Sequence, residues 1–217
     1  MAYNNPNMID LSDQNNPTKI TERFSELYDN QWTNAFLILE KKHLLSETDI
    51  ISVLLDVLYV SFTECKRARS LRESAFKVIA EYIGAVGDDQ DVRVLEVMRT
   101  LKDVRKKSVG EISQTFKKSV AERLSTKMIY KDKLPDIKPY MDECVEICTA
   151  MNIQEPPLEL RGVRVSSDIE FEISAFKPYT VSGKKIEYIV WPALHLYIDG
   201  PILCKGVAQG MPCSSNA

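Results

Sequence analysis

The sequence predicts a mainly α protein: a helical bundle of six or seven helices with a small β-rich C-terminal module. Three observations lead there. Apolar residues recur every three or four positions from Thr18 to Met151, the spacing of helices with one buried face. After Pro156-Pro157 the spacing changes to alternation, in Leu158-Glu159-Leu160-Arg161-Gly162-Val163-Arg164-Val165 and again in Ile169-Glu170-Phe171-Glu172-Ile173, which marks strands with one buried face. A chain of 217 residues, 44% hydrophobic and 27% charged, has the composition of a globular protein with one substantial core or two small ones. The divisions that follow are a disordered tail over 1–17, a bundle over 18–152, a β-rich module packed on it over 153–209, and a closing tail over 210–217.

The opening tail is rich in Asn, holds two Pro and shows no apolar period. A helix over 18–28 buries Ile20, Phe24, Leu27 and Tyr28, and a second buries Trp32, Ala35, Phe36 and Leu39. Ser46-Glu47-Thr48-Asp49 resembles a capping box and opens the most apolar helix, from Asp49 to about Arg67. Its Ile50, Ile51, Val53, Leu54, Leu55, Val57 and Leu58 cover more than one face, which predicts a central position. Another helix starts at Ser70 and runs through Phe76, Ile79 and Ile83, with Gly84 beyond its end. Gly87-Asp88-Asp89 predicts a turn whose acids meet the positive end of the next helix, which extends to about Lys107. Ser108-Val109-Gly110-Glu111 is a second capping box, followed by Val109, Ile112, Phe116, Val120 and Leu124 at helical spacing. Pro135 and Pro139 punctuate the connection to the last helix, over 136–151. Further strands are expected over 186–190, 194–198 and 202–207, with Asp199-Gly200 as a hairpin turn. Trp191-Pro192 marks an edge or a kink, because Pro cannot donate to a central ladder.

Composition narrows the function. The most apolar run, 50–62, carries Ser52, Asp56 and Ser61 and is too short and polar to span a bilayer. The N-terminus lacks the basic-then-apolar order of a secretory signal, so an intracellular protein is expected. Five cysteines at irregular spacing (Cys65, Cys144, Cys148, Cys204, Cys213) point to free thiols in a reducing compartment. Cys144 and Cys148 lie one helical turn apart and have the spacing to ligate a metal with His195 and Cys204. Structural zinc sites use closer pairs, and free Cys is commonly a small core residue, so no metal and no cofactor are expected.

Nor does any local motif point to catalysis. The histidines are His43, in the polar stretch Lys41-Lys42-His43, and His195, read as a structural strand residue. A Gly-x-Ser-x-Gly elbow is lacking. Ser182-Gly183-Lys184-Lys185 fails as a phosphate loop, having Pro178 at the first Gly position and no Ser or Thr after the Lys. Asp88, Asp89 and Asp91 lack the Gly and terminal Glu of a calcium loop. A non-enzymatic protein is expected.

Charge is segregated along the chain. The net charge is −3, yet residues 102–133 carry ten basic residues against four acids, and residues 136–172 carry nine acids against three basic residues. Lys102, Arg105 and Lys106 are spaced three and four apart and share a helix face; Lys107, Lys117 and Lys118 extend the basic set. A second basic group comprises Lys66, Arg67, Arg69, Arg72 and Lys77. Such charges are attracted to an anionic membrane by about 1 kcal/mol each near its surface. They also suit a solvated helix face, or an internal match to the acidic segment. Nucleic acid is not the expected partner: the pI is about 5.6 and no aromatic residue but Phe116 interleaves with the charges of 102–118.

Two stretches carry a family resemblance. Val190-Trp191-Pro192-Ala193-Leu194, followed by Gly200-Pro201-Ile202-Leu203-Cys204-Lys205-Gly206-Val207-Ala208, resembles the C-terminal signature of the mitochondria-eating protein family. Arg23-Phe24-Ser25-Glu26-Leu27-Tyr28-Asp29-Asn30-Gln31-Trp32-Thr33-Asn34-Ala35-Phe36 resembles the opening of that family's C-terminal domain, so the likeness covers residues 20–209 or so. It implies a non-enzymatic protein of mitochondrial quality control, cytoplasmic and associating with mitochondria. Such a protein binds cardiolipin peripherally, meets outer-membrane proteins, and promotes removal of damaged mitochondria or oxidised mitochondrial proteins. No functional residue of the family maps individually onto this chain; on the charge pattern the anionic-lipid surface is expected at Lys102, Arg105, Lys106, Lys107, Lys117 and Lys118, with Trp191, Pro192, Gly200 and Gly206 as the structural anchor. Family members carry an upstream coiled coil, and no sustained heptad precedes Thr18, so self-assembly is not carried over; the expectation is an excised domain or a short relative. The rival reading is a protein–protein interaction module, docking a partner on the Trp191 segment and an acidic partner on the basic helices.

Overall fold

The structure is a computed structural model that describes residues 15–82, 92–162 and 169–211. Expectations for Ile83, Gly84, the Gly87-Asp88-Asp89 turn, Val163, Val165, Cys213 and the greater part of both tails lie outside those residues.

Helix α1 (17–43) starts as its sequence dictates. Asn16 accepts the Lys19 N–H on its side-chain oxygen at 2.9 Å, and Pro17 occupies the first turn, where its missing donor costs nothing. The two helices expected over this stretch are one. Pro17–Glu26 and Thr33–His43 are α-helical, and Leu27–Trp32 between them is π-helical. An α-helix turns about 100° per residue, so residues four apart drift by about 40°; the extra residue of a π-turn takes most of that drift back. Tyr28, Trp32 and Phe36 form one row, with ring centroids 5.0 Å apart for Tyr28–Trp32 and 5.2 Å for Trp32–Phe36, and Trp191 bridges Tyr28 to Phe24.

Helix α2 (Glu47–Tyr82) opens at the capping box: Ser46 accepts the Asp49 N–H and donates to the Asp49 carboxylate. It continues without interruption past Ser70, where a new helix was expected. The Ser70 hydroxyl turns back to the Lys66 carbonyl and Arg69 pairs with Glu73 one turn on, so the serine supports the helix interior rather than capping a new start. Helices α3 (Val92–Lys107) and α4 (Val109–Ser125) meet at Ser108. The predicted box does not form there: the Ser108 side chain caps nothing, because its own N–H still bonds back to Val104 and Arg105. After a short 3₁₀ turn, Met128–Tyr130, helix α5 (Lys138–Ile153) closes the bundle. The described residues thus form five helices, not six or seven.

The enclosed helix is α5. Every residue from Ile147 to Ile153 is buried, the mark of a helix end covered on every side, whereas Asp142, Glu143 and Glu146 keep a partly exposed face nearer its start. The inner half of α2 (Ile50, Val53, Leu54, Val57, Leu58) packs on it, and the Tyr140 hydroxyl donates to the Leu54 carbonyl at 2.9 Å.

Among the described residues the C-terminal part forms two three-stranded sheets. Strands β1 (Glu159–Arg161), β4 (Ala193–His195) and β5 (Ile202–Cys204) form one in the order β1-β4-β5, all antiparallel. In the other, β6 (Gly206–Gly210) lies between β2 (Phe176–Pro178), parallel to it, and β3 (Ile186–Trp191), antiparallel. Three expectations change. The alternating stretch 169–173 contributes a single bridge, Glu170 to Lys185, before a turn. The expected strand 202–207 is divided at Lys205 between the two sheets. The Asp199-Gly200 reversal is a wider loop, closed by Leu196 N–H to the Pro201 carbonyl, with Asp199 in the left-handed region at φ 56°.

Pro192 is the kink its sequence implied: the chain leaves one sheet at Trp191 and enters the other at Ala193. Gly206 sits against that crossing. A Cβ there would lie 2.6 Å from the Trp191 carbonyl oxygen and 2.7 Å from the Ala193 nitrogen. Trp191 is 2% exposed and stacks on α1, 4.8 Å from Phe24 and 5.3 Å from Tyr28. The anchor is therefore internal.

Truncating that ring removes contacts to both α1 and the sheets. Trp191→Ala is expected to cost about 3 to 5 kcal/mol, measured by urea denaturation; an unchanged midpoint would refute the anchoring role.

The core also encloses three thiols. Burial pushes Cys65 up to about 11 and raises Cys144 and Cys148 further, so all three stay protonated and unreactive at neutral pH. Cys204 is half-buried, 3.4 Å from the Ser25 hydroxyl. With Cys213 replaced by Ser, a thiol reagent is expected to label one cysteine quickly in native protein and four after denaturation. Rapid labelling of Cys144 or Cys148 would show that α5 is not enclosed.

Candidate functional site

The acidic segment and the basic segment do not neutralise one another. Four acids of 136–172 find partners elsewhere: Asp136 takes Lys42 and His43, Glu143 takes Arg23, Asp142 takes Lys138, and Glu159 takes Lys66. The Lys42 and His43 hydrogen bonds hold the Asp136 carboxyl below its ordinary value. Arg123 and Lys127 reach instead to α2, Arg123 to the buried Glu64 and Lys127 to Asp56. Among the described residues Lys117 alone crosses between the segments, paired with Glu146.

The six basic residues expected to bind lipid thus divide. Lys117 is 14% exposed and engaged with Glu146. Lys106 is half-buried and already has a partner. Lys102 lies on α3, with its side chain outside the described set. Arg105, Lys107 and Lys118 have no acidic partner among the described residues. Lys107 and Lys118 are exposed, whereas the Arg105 guanidinium folds back to the Leu101 carbonyl at 3.3 Å. All three of Arg105, Lys106 and Lys107 also complement the negative end of α3.

Arg105 opens onto a groove between α2 and α3. Its stripe on α3 (Val94, Met98, Leu101, Arg105) follows helical spacing, and Phe76 and Ile79 line the α2 side. The cavity is about 840 Å³. Most of its apolar lining faces outward, with Ile79 42%, Met98 37% and Leu101 40% exposed. Arg69, Arg72, Lys77 and Arg105 line it against two acids, Glu73 and Glu155. Glu73 is bound by Arg69, which also donates to the carbonyls of Asn152 and Gln154. Arg72 has no such satisfaction: its Nε and Nη2 are enclosed, with no hydrogen-bond partner among the described residues. Burial first, then the charges of Arg105 and Arg69, pull this guanidinium below its ordinary value. The arrangement fits an anion against an apolar slot. The sequence held a trace of it, since Arg72 and Arg105 interleave the periods of Phe76, Ile79, Met98 and Leu101, but that the two periods face each other is a tertiary fact.

The other residues singled out are placed as follows. His195 donates or accepts at Nδ1 with the Gly200 carbonyl (2.8 Å); since a carbonyl only accepts, Nδ1 carries the proton. Its Nε2 is enclosed without a partner among the described residues. Cys144 and Cys148 lie in the helical core and His195 and Cys204 on paired strands. Among the described residues no three His, Cys, Asp or Glu side chains converge as metal ligands. His43, in its polar stretch, is held by Asp136 at 2.8 Å, with its side chain 11% exposed. Because Trp191 and Pro192 are buried, that segment offers no exposed docking face.

Among the described residues no helix is long and apolar enough to cross a membrane. No curated protein and no solved structure gives a match. A family model described as "Mitochondria-eating protein" matches residues 16–210. That span runs from the Asn16 cap of α1 to the last residue of β6, and so includes the aromatic row, the Trp191 crossing and the α2–α3 groove: the chain belongs to the mitochondria-eating protein family.

Proposed function

We propose that this chain is a non-enzymatic mitochondrial quality-control protein, cytoplasmic and associating with mitochondria. It binds anionic mitochondrial lipid, cardiolipin, peripherally, and promotes removal of damaged mitochondria or of oxidised mitochondrial proteins. Membership of the family supports the mitochondrial part of this reading. The observation that supports the lipid part is the set of cations without acidic partners among the described residues, Arg105, Lys107 and Lys118, beside the unsatisfied Arg72. Cardiolipin presents two phosphates, which guanidinium and ammonium groups engage by charge-assisted hydrogen bonds. Three charges at about 1 kcal/mol each change partitioning by roughly a hundredfold near an anionic surface. Lys117 contributes to the fold in this reading, through Glu146. The rival of a docking module loses its Trp191 surface, since that ring is buried.

Sedimentation with vesicles tests it. Wild-type protein is expected to pellet with cardiolipin-containing vesicles and not with neutral phosphatidylcholine, and to release as salt rises, because surface charges are screened beyond about 8 Å at physiological ionic strength. Arg105→Glu/Lys107→Glu/Lys118→Glu is expected to abolish pelleting with the melting temperature nearly unchanged. Equal binding of neutral vesicles, or undiminished binding by the triple variant, would overturn the lipid reading.

A further inference from the structure

We propose that the groove between α2 and α3 is a binding site for a single acyl chain of an anionic phospholipid, the chain lying on Phe76, Ile79, Met98 and Leu101 and the phosphate on Arg72 and Arg105. It rests on the lipid reading above and adds to it a specific, stoichiometric site where that reading requires only a charged surface.

Two features of different kinds coincide in the groove. The first is apolar surface left to solvent on two facing helices. Ile79, Leu95, Met98 and Leu101 are each at least a third exposed and all line the same cavity; a contiguous exposed patch of this kind marks a binding surface. The second is a half-buried cation, Arg72, with two nitrogens left without a hydrogen-bond partner among the described residues. The Nε and Nη2 atoms of Arg72 have lost water and gained no partner among the described residues, an arrangement that destabilises the free protein and is relieved when an acceptor arrives. Arg69 does not supply the relief, being a cation itself, and Glu73 is held by Arg69. Four basic residues against two acids leave the lining net positive.

An amphiphile with an anionic head meets both features at once. A phosphate takes two parallel N–H bonds from a guanidinium fork. The adjoining apolar wall gains about 25 cal/mol per Å² of chain surface it covers. The cavity volume of about 840 Å³ lies within the range of small-ligand sites, about 300 to 1,000 Å³, and suits one chain with its head better than a helix about 10 to 12 Å across. A docked acidic helix is the competing occupant.

Calorimetry with monomeric amphiphiles separates these cases. Dodecyl phosphate, kept below its micelle concentration, is expected to bind at one equivalent. Butyl phosphate, which has the head without the chain, and decyl maltoside, which has the chain without the anion, are each expected to bind at least tenfold more weakly. Arg72→Gln is expected to weaken dodecyl phosphate at least tenfold without lowering the melting temperature, because Nε and Nη2 of the guanidinium it removes are unpaired among the described residues. Ala75→Trp, which fills the groove from its exposed α2 side, is expected to abolish binding. Lys107→Glu/Lys118→Glu is expected to leave monomer binding intact while weakening vesicle binding. If cardiolipin vesicles pellet the protein but dodecyl phosphate binds no better than butyl phosphate, the groove site is wrong and the surface reading stands. If dodecyl phosphate binds equally to wild type and Arg72→Gln, the assigned head position is wrong. If neither vesicles nor dodecyl phosphate bind, while an acidic amphipathic peptide does, the groove takes a helix and both lipid proposals fall.

Discussion

The packing of Trp191 against the aromatic row of α1 is the contact on which the rest of the molecule depends. The row of Tyr28, Trp32 and Phe36 spans the π-turn Leu27–Trp32, where the extra residue offsets the drift of about 40° that a regular α-helix gives residues four apart, and Trp191 joins it to Phe24. Trp191 in turn stands at the point where the chain passes from one sheet to the other, with Pro192 next to it and Gly206 close against its carbonyl. One ring therefore ties α1 to both sheets. Its indole N–H is enclosed without a partner among the described residues, so it is packing, not hydrogen bonding, that holds it.

With the sheets and α1 fixed this way, α5 is enclosed, and the ion pairs of its outer face have defined partners. Arg23 of α1 and Lys117 of α4 both reach Glu146, and Glu64 of α2 binds Arg123 of α4 from a nearly inaccessible position. These pairs engage Glu64 and Glu146, the acids between α1, α2, α4 and α5. The outer half of α2 and helix α3 lie beyond them, and it is there that apolar and cationic side chains remain uncovered. The proposed groove site thus lies apart from these pairs, so a variant in the groove is expected to lose ligand without losing the fold.

Much of the fold was legible in the sequence. The helix-to-strand change after Pro157, the Ser46 capping box, the burial of Trp191 and the kink at Pro192 each follow from local chemistry, and the family was legible in the same Trp191 and Arg23 segments. What was not legible depends on tertiary choice. Ser70 and Ser108 are the same residue type as true caps, but their surroundings keep the backbone in helical hydrogen bonding. Helix α5 was not marked as the enclosed one because Cys144, Cys148, Thr149 and Asn152 dilute its apolar signal; the last two satisfy themselves on carbonyls one turn back. Strand β2, with Lys177 and Pro178, has no alternating pattern and exists because β6 offers it a parallel edge. Of the basic residues, sequence could rank them only by spacing. It could not tell that Lys117 pairs inward, or that Arg72 stands unsatisfied.

The central claim is that anionic lipid meets this protein at the groove between α2 and α3, and amide hydrogen exchange with and without cardiolipin vesicles tests it most directly. Slower exchange is expected in peptides covering 69–79 and 94–105, with no change in α5 or around Trp191, whose amides are already protected in the free protein. Protection confined to the sheets or α1, or none at all under conditions where the protein pellets with the vesicles, would contradict the account.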